Sequence, residues 1–236
     1  AHCALSLVGE PIMYPHINEL VEELHRRKIS TFLVTNAQFP ECIEKLGPVT
    51  QLYVSIDAAT KDTLKAVDRP LFSDFWERFL SSLKSLAKRD QRTVFRLTLV
   101  KGWNMDEINN YAKLIKIGRP DLIEIKAVTY CGTSDGSSIT MNNVPWHEEV
   151  REFAKALVGG AEGVYGIAAE HKHSCCVLLA NKEKFLREGK WFTWIDYTRF
   201  NELVGNFYRN GEGFTSLDYL AETPKWAVFG AEEEGF

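Results

Sequence analysis

The stretch Gln51-Leu52-Tyr53-Val54-Ser55-Ile56-Asp57-Ala58 decides the fold class. Its core, Leu52–Ile56, is a short apolar run rich in β-branched residues that ends on polar groups, and further on Phe72, Phe75, Trp76, Phe79, Leu80 and Leu83 share one helical face. A buried strand followed by a crossover helix is the repeating unit of a parallel sheet. The same alternation recurs on both sides. Strands are expected at Ala4–Val8, Thr31–Thr35, Val94–Val100, Leu122–Val128 and Val164–Ala168. Helical stripes fall at Ile17, Leu20, Val21 and Leu24, at Ile108, Tyr111, Leu114 and Ile115, and at Trp146, Val150, Phe153 and Leu157. Periodicity alone fits either an open doubly wound α/β sheet or a curled partial barrel. No G-x-G-x-x-G turn follows any of these strands, which removes the usual dinucleotide-binding argument, and an incomplete (β/α) barrel of the (β/α)6 type is the expectation, with the ligand face in either case at the carboxyl ends of the strands.

Past Ala180 the texture changes to the charged stretch Lys182–Lys190, the aromatic run Trp191-Phe192-Thr193-Trp194 and a helical segment over Thr198–Tyr208. Without a low-complexity linker between them, residues 1–180 are read as the barrel and 181–236 as a C-terminal extension packed on it. The extension ends in an acidic tail, Ala231–Phe236, expected to fray.

Composition sets limits on function. The chain has 236 residues, 45% hydrophobic and 25% charged, enough apolar material for one large core. No stretch approaches the roughly 18 uninterrupted apolar residues of a membrane helix and no secretory leader opens the sequence, so a soluble, cytoplasmic protein is expected. A net charge of −4 argues against a generally basic nucleic-acid coat while leaving room for a local basic patch. The cysteines, Cys3, Cys42, Cys131, Cys175 and Cys176, show no metal-ligand spacing, and the pair at 175 and 176 reads as small core residues.

Polar residues just past the strands carry the functional information. Gly9-Glu10-Pro11 places a permissive backbone, a carboxylate acceptor and a rigid turn after the first strand. The second strand ends at Asn36, and the third presents Ser55 and Asp57 on one face, suited to hydroxyl recognition or, for Asp57, to capping the helix after Thr60. Arg96 shares a face with Thr98, and Lys126 shares one with Glu124; each basic residue either meets a ligand or closes a buried ion pair. His16, His147, His171 and His173 lie beside loops. Glu170-His171-Lys172-His173 resembles a metal-ligand run, but nothing nearby completes a tetrahedral set, and contacts to substrate or RNA are the reading adopted. Lys101, Trp103 and the Trp191–Trp194 run combine basic and aromatic groups suited to an unstacked base, although core packing accounts for Trp191 and Trp194 equally well.

Taken in order, Ser6-Leu7-Val8-Gly9-Glu10-Pro11, Leu33–Phe39, Gln51–Ala58, Asp68-Arg69-Pro70-Leu71, Arg96–Lys101, Val128–Gly132, Val144–Val150 and Glu170–Ser174 resemble the tRNA 4-demethylwyosine synthase family of radical S-adenosylmethionine (SAM) enzymes, from residue 3 to about residue 230. The resemblance implies a radical SAM partial barrel that binds SAM and a 4Fe-4S cluster and joins pyruvate-derived carbons to N1-methylguanosine beside the anticodon of phenylalanine tRNA. It implies SAM contacts at Gly9, Glu10 and Pro11, with Asn36, Ser55 and Asp57 facing the cofactor. Arg96, Lys101, Trp103, Lys126, His147, His171 and His173 become candidates for substrate or tRNA. A flavin-type electron donor, or a fused flavodoxin-like domain, is the implied partner.

The sequence departs from that family in lacking the C-x-x-x-C-x-x-C loop that holds the cluster. Ala1 stands directly before an apolar run, so an N-terminally truncated chain, inactive by itself and missing the first βα unit, is the expectation. Two alternatives from other classes remain: a cluster-free protein that binds tRNA or a nucleotide, and a barrel aldolase with Lys126 as its Schiff-base lysine.

Overall fold

The β-branched runs pair into one seven-stranded sheet in the computed structural model, which describes residues 1–6, 9–132 and 139–232. Its strands are β1 (His2–Leu5), β2 (Ser30–Thr35), β3 (Gln51–Ser55), β4 (Thr93–Leu99), β5 (Leu122–Ala127), β6 (Tyr165–His171) and β7 (Cys176–Asn181). The order across the sheet is β1-β2-β3-β4-β5-β7-β6. Strands β1 to β5 run parallel, while β7 is antiparallel to both β5 and β6. The helices are α1 (Ile17–Arg26), α2 (Pro40–Lys45), α3 (Lys61–Asp68), α4 (Phe75–Leu86), α5 (Ile108–Gly118) and α6 (His147–Gly160).

The expected strands recur with shifted ends. The first is His2–Leu5 instead of Ala4–Val8, and residues 7 and 8 lie outside the described residues, as do residues 233–236 of the tail. The apolar run from Cys176 is an additional strand that periodicity alone did not separate from core filler. The turn Lys172–Ser174, closed by Cys175 at φ 45°, folds the chain straight back on β6. A reversal this tight can only give antiparallel pairing, because a parallel return needs a crossover. Strand β7 therefore occupies the place beside β5 that a sixth βα unit would have taken.

Strand alternation sorts the side chains onto two faces. Leu52 and Val54 of β3, Phe95, Leu97 and Leu99 of β4, Ile123 and Ile125 of β5, and Val177 and Leu179 of β7 form the main core with the helices. Among the expected helical stripes, Ile17 and Val21 of α1 are buried, whereas Leu20 is 38% exposed and the turn is completed by the buried His25. Trp146 likewise stands outside the core, 75% exposed at the start of α6.

Close packing of this layer is tightest at Gly118, the last residue of α5, where a Cβ would overlap the Phe95 ring while also meeting Leu83 Cβ at 3.5 Å. All three sites are buried, so the Phe95 ring would have to shift within a packed core. Gly118→Ala is expected to destabilise the fold by about 2 kcal/mol through overpacking. Urea denaturation checks this, and an unchanged midpoint would show that the ring moves freely.

On the opposite face the N-terminal ends of the strands are covered by the segment after β7. It comprises α7 (Lys182–Phe185), the ribbon of β8 (Leu186–Arg187) with β9 (Lys190–Trp191), the pair β10 (Trp194–Ile195) with β11 (Leu220–Ala221), and α8 (Tyr197–Asn210). Phe185 packs with Val94, Leu122, Ala168 and Ala180, and Gly166 lies directly under the Trp191 ring. Arg92, buried just before β4, donates to the carbonyls of Thr193 and Trp194. The Tyr219 hydroxyl accepts from Arg92 N at 2.9 Å and donates to Thr50 O at 3.0 Å. Apolar side chains and satisfied backbone groups thus close the lower end of the inner face, leaving its upper end for polar chemistry.

Candidate functional site

Above the apolar floor, strand register lines up two polar rows across the inner face. The lower row contains Ser55, Arg96, Glu124 and Leu178, paired in that order across β3, β4, β5 and β7. The upper one contains Thr98, Lys126, Cys176 and His171 across β4, β5, β7 and β6. Asp57, two residues past the end of β3, comes level with Thr98 in the upper row, where the Thr98 hydroxyl favours its carboxylate form. These rows sit at the carboxyl ends of the parallel strands, the end at which α/β sheets hold their ligands.

At the β1 end, Gly9 adopts φ +66°, with open space where a side chain would stand. Glu10 turns inward, and Pro11 opens the short helical turn Pro11–Met13 that fixes the loop, with Ile12 buried beneath it. One carboxylate oxygen of Glu10, Oε2, accepts from Asn36 N at 2.8 Å. The other, Oε1, is buried without a partner among the described residues. Burial raises the Glu10 carboxyl above its ordinary range, against the opposing pull of the Asn36 amide and the Thr35 hydroxyl. A half-satisfied, desolvated carboxylate is a receptor for a cationic donor.

Asn36 contributes its backbone amide to Glu10, while its side-chain oxygen accepts from Gln38 N at 3.2 Å and closes its own turn. Asp57 is not the helix cap: Thr60 accepts from Thr63 N and starts α3. Burial raises the Asp57 carboxyl, with the Thr98 hydroxyl and Arg96 acting in the other direction. Beside it opens a cavity of about 840 Å³ lined by Asp57, Asp68, Arg69, Thr98, Trp103 and Asn104.

Asn104 and Asp68 of this wall were not singled out from the sequence. Asn104 is buried; its Oδ1 accepts from Val100 N at 2.8 Å and its Nδ2 donates to Asp57 O and Thr98 O. It clamps the loop after β4 to the end of β3, and an asparagine in a Gly-Trp-Asn turn was the available signal. Asp68 ends α3 on the cavity rim, and its place in the Asp-Arg-Pro segment was noted only as part of a resemblance.

The basic candidates divide. Arg96 Nε lies 3.2 Å from Glu124 Oε1, both half-buried, so Glu124 pairs across the strands with Arg96 and not with Lys126. Lys101 Nζ is held 2.6 Å from Glu149 Oε2 of α6, and its backbone exchanges hydrogen bonds with Asn143. Lys101 thus ties two loops together, while Trp103, 38% exposed, remains on the cavity wall.

The histidines do not converge. A register shift between Ile167 and Ala169 turns Glu170 to the helix side of the sheet, opposite Val177. There it meets His147 Nε2 at 2.9 Å, so His147 is not brought to the inner face. His171 does face inward, with Nδ1 2.6 Å from Ser174 Oγ and its ring edge-on to Trp226. His173 is exposed on the turn. Among the described residues no group of three His, Cys, Asp or Glu side chains could hold a metal ion.

Two family models match the chain: one described as the radical SAM superfamily over residues 2–115, and one described as wyosine base formation over residues 117–181. The chain is 68% identical to the S-adenosyl-L-methionine-dependent tRNA 4-demethylwyosine synthase of Oryza sativa subsp. japonica, across 100% of this chain and 35% of that protein. Against the enzyme of the same description from Homo sapiens it is 61% identical, across 100% of this chain and 32% of that protein. The chain therefore spans about a third of the length of the curated relatives it matches. Two solved structures superpose on it. One, described as TYW1 with a lysine–pyruvate adduct bound, gives a TM-score of 0.70 at 31% identity, covering 77% of this chain and 57% of the other; an archaeal TYW1 gives 0.64 at the same identity and coverage.

Proposed function

The chain belongs to the wyosine-base-forming family of the radical SAM superfamily, and on that premise we propose that it is the SAM-binding core of a tRNA 4-demethylwyosine synthase. The observation that carries this reading is the Glu10 carboxylate, half-satisfied by Asn36 N and otherwise buried without a partner beside the open Gly9 turn.

The residues present fit SAM. Glu10 Oε1 would accept the ammonium of its methionyl group, and Gly9 lets the backbone approach closely where a side chain would intrude. Ser55 and Asp57 supply oxygens for the ribose hydroxyls, and Asn104 fixes the turn that presents Asp57. Held by these residues, SAM would supply radical chemistry to the whole enzyme.

The 4Fe-4S cluster does not fit the side chains of this chain: its cysteines are scattered over β1, α2, an exposed loop, the β6–β7 turn and the start of β7, with no group of three among the described residues. No step through a cluster is assigned to them.

The substrates of the proposed activity are pyruvate, consistent with the lysine–pyruvate adduct in the superposed structure, and tRNA-Phe bearing N1-methylguanosine. A base withdrawn from its stack would enter the cavity of about 840 Å³ beside Trp103. In this reading residues 1–180 are the partial barrel and 181–236 a C-terminal extension packed on it, in which Phe185 and Trp191 cover the lower end of the inner face. A flavin-type donor serves as the reductant, in the cytoplasm; no helix among the described residues is long and apolar enough to cross a membrane.

Replacing the matching third of the human or rice enzyme by residues 1–236 tests the assignment. Incubated anaerobically with SAM, pyruvate and methylguanosine-containing tRNA, the chimera is expected to form the tricyclic base, read by mass spectrometry of the digested tRNA. A chimera that folds and binds SAM yet leaves the methylguanosine unchanged would overturn it in favour of a nucleotide-binding protein without this chemistry.

A further inference from the structure

We propose that Lys126 anchors the carboxylate of a second, small acidic ligand on the inner face of the sheet, distinct from the methionyl carboxylate of SAM. This rests on the synthase reading and adds to it the residue that positions the 2-oxo acid.

Lys126 is left without an ion pair among the described residues of this face, and Asp57, the other carboxylate of its row, lies beyond Thr98. Arg96 and Glu124 neutralise each other at 3.2 Å. Lys126 stands on the same face of β5, two residues beyond Glu124, with Thr98 on one side in β4 and Cys176 on the other in β7. It is half-buried and takes part in no hydrogen bond or ion pair among the described residues. Among the described residues its cross-strand neighbours offer no counter-ion, and Glu124 is taken up by Arg96. Thr98 is engaged with Asp57, and the Cys176 thiol stays protonated, pushed up to about 12 by burial and then by Glu124. Beyond Cys176, His171 is occupied by Ser174. An ammonium partly withdrawn from water without an anion is held at a cost, which a bound carboxylate removes.

Geometry excludes the most obvious carboxylate. Glu10 follows β1, whereas Lys126 is on β5, four strand spacings away in the sheet order. That is about 19 Å across a flat sheet, and curvature shortens the path only in part. The ammonium and carboxylate of SAM are attached to one carbon atom. With the ammonium at Glu10, the methionyl carboxylate cannot reach Lys126, so the anion belongs to another molecule.

Size and surroundings favour a small acid over an RNA phosphodiester. One and two rows below Lys126 the face is already filled, by Leu178 and then by Ala180 with Phe185 packed against it. A nucleic-acid backbone is held by several cations acting together, whereas on this face Arg96 is already paired with Glu124 and Lys126 stands singly above a closed floor.

Pyruvate is the probe, titrated as the carbon-13-labelled acid into the protein and followed by saturation-transfer NMR, with SAM affinity measured on the same samples. Lys126→Met is expected to weaken pyruvate binding at least tenfold and Lys126→Arg to restore most of it. Both variants should keep the wild-type melting temperature and SAM affinity within twofold. Equal pyruvate binding by wild type and Lys126→Met, with SAM still bound through Glu10, would overturn the anchor and leave the synthase reading standing. Lys126-dependent binding of inorganic phosphate without binding of pyruvate would also overturn it, in favour of an RNA phosphate. A wild-type protein that binds neither pyruvate nor SAM removes the synthase reading of the site together with the anchor.

Discussion

Glu10→Gln lowers the affinity for SAM about a hundredfold while leaving the fold intact. The substitution preserves size and keeps an oxygen that can accept from Asn36 N, so the loop after β1 retains its internal contact. What it removes is the negative charge at Oε1, the buried atom without a partner. A charge-assisted hydrogen bond to an ammonium in a desolvated site is worth about 2 to 4 kcal/mol, and each 1.4 kcal/mol is about tenfold in affinity. The pH dependence carries a second signature. Burial raises the Glu10 carboxyl above its ordinary range, and only the deprotonated form accepts the ammonium. Wild-type affinity should therefore begin to fall, as pH is lowered, sooner than an exposed glutamate would allow, and the glutamine variant should lack that fall. Isothermal titration calorimetry from pH 5 to pH 8 measures both, and affinity unchanged within threefold would remove Glu10 from the SAM site.

Much of the frame was legible because its signals are local. The run Leu52–Ile56 followed by Asp57 reads as a strand with a polar end, and the structure places Ser55 and Asp57 at the upper end of the inner face as alternation requires. Facts that depend on register were not legible. From the sequence, Glu124 is as good a partner for Lys126 as for Arg96. Only the pairing of β4 with β5, which sets Arg96 directly opposite Glu124, decides it and leaves Lys126 over.

The histidines show the same limit more sharply. Had β6 kept a regular register with β7, Glu170 would have faced the site and His171 the helices. The one-residue shift at Ala168 exchanges them, because strand side chains alternate with period two. It sends Glu170 to His147 on the helix side and brings His171 into the upper row. Likewise, nothing in the run from Cys176 to Asn181 announces an antiparallel insertion. That follows from the left-handed conformation at Cys175, a residue type with no preference for it.

Between pH 6.5 and pH 4 the protein is expected to lose about 3 kcal/mol of stability through one residue that its sequence pattern hid, His25. It takes the place on α1 where an aliphatic side chain would be expected, 5% exposed and edge-on to Phe200. One ring nitrogen lies 2.8 Å from Thr31 Oγ1 of β2 and the other 3.1 Å from the Tyr208 hydroxyl of α8, so it joins the helix layer, the sheet and the C-terminal segment. Hydroxyls on both sides satisfy a neutral ring, and among the described residues no carboxylate bonds to it, the nearby Glu22 being paired with Arg26 at 2.6 Å. Burial accordingly lowers its pKa from 6.5 to about 4. In this window the unfolded chain binds the proton and the folded chain does not. Stability is complete above the unfolded pKa and drains away as pH falls toward the folded one. Gln in place of His25 offers one donor and one acceptor in similar positions but cannot titrate. Urea denaturation at pH 7 and pH 4.5 should show a steeper acid loss in wild type than in His25→Gln, with the carboxylates that titrate in both proteins cancelling in the comparison. Equal losses would mean that His25 is already protonated in the folded state and that its ring has found an acceptor other than Thr31 and Tyr208.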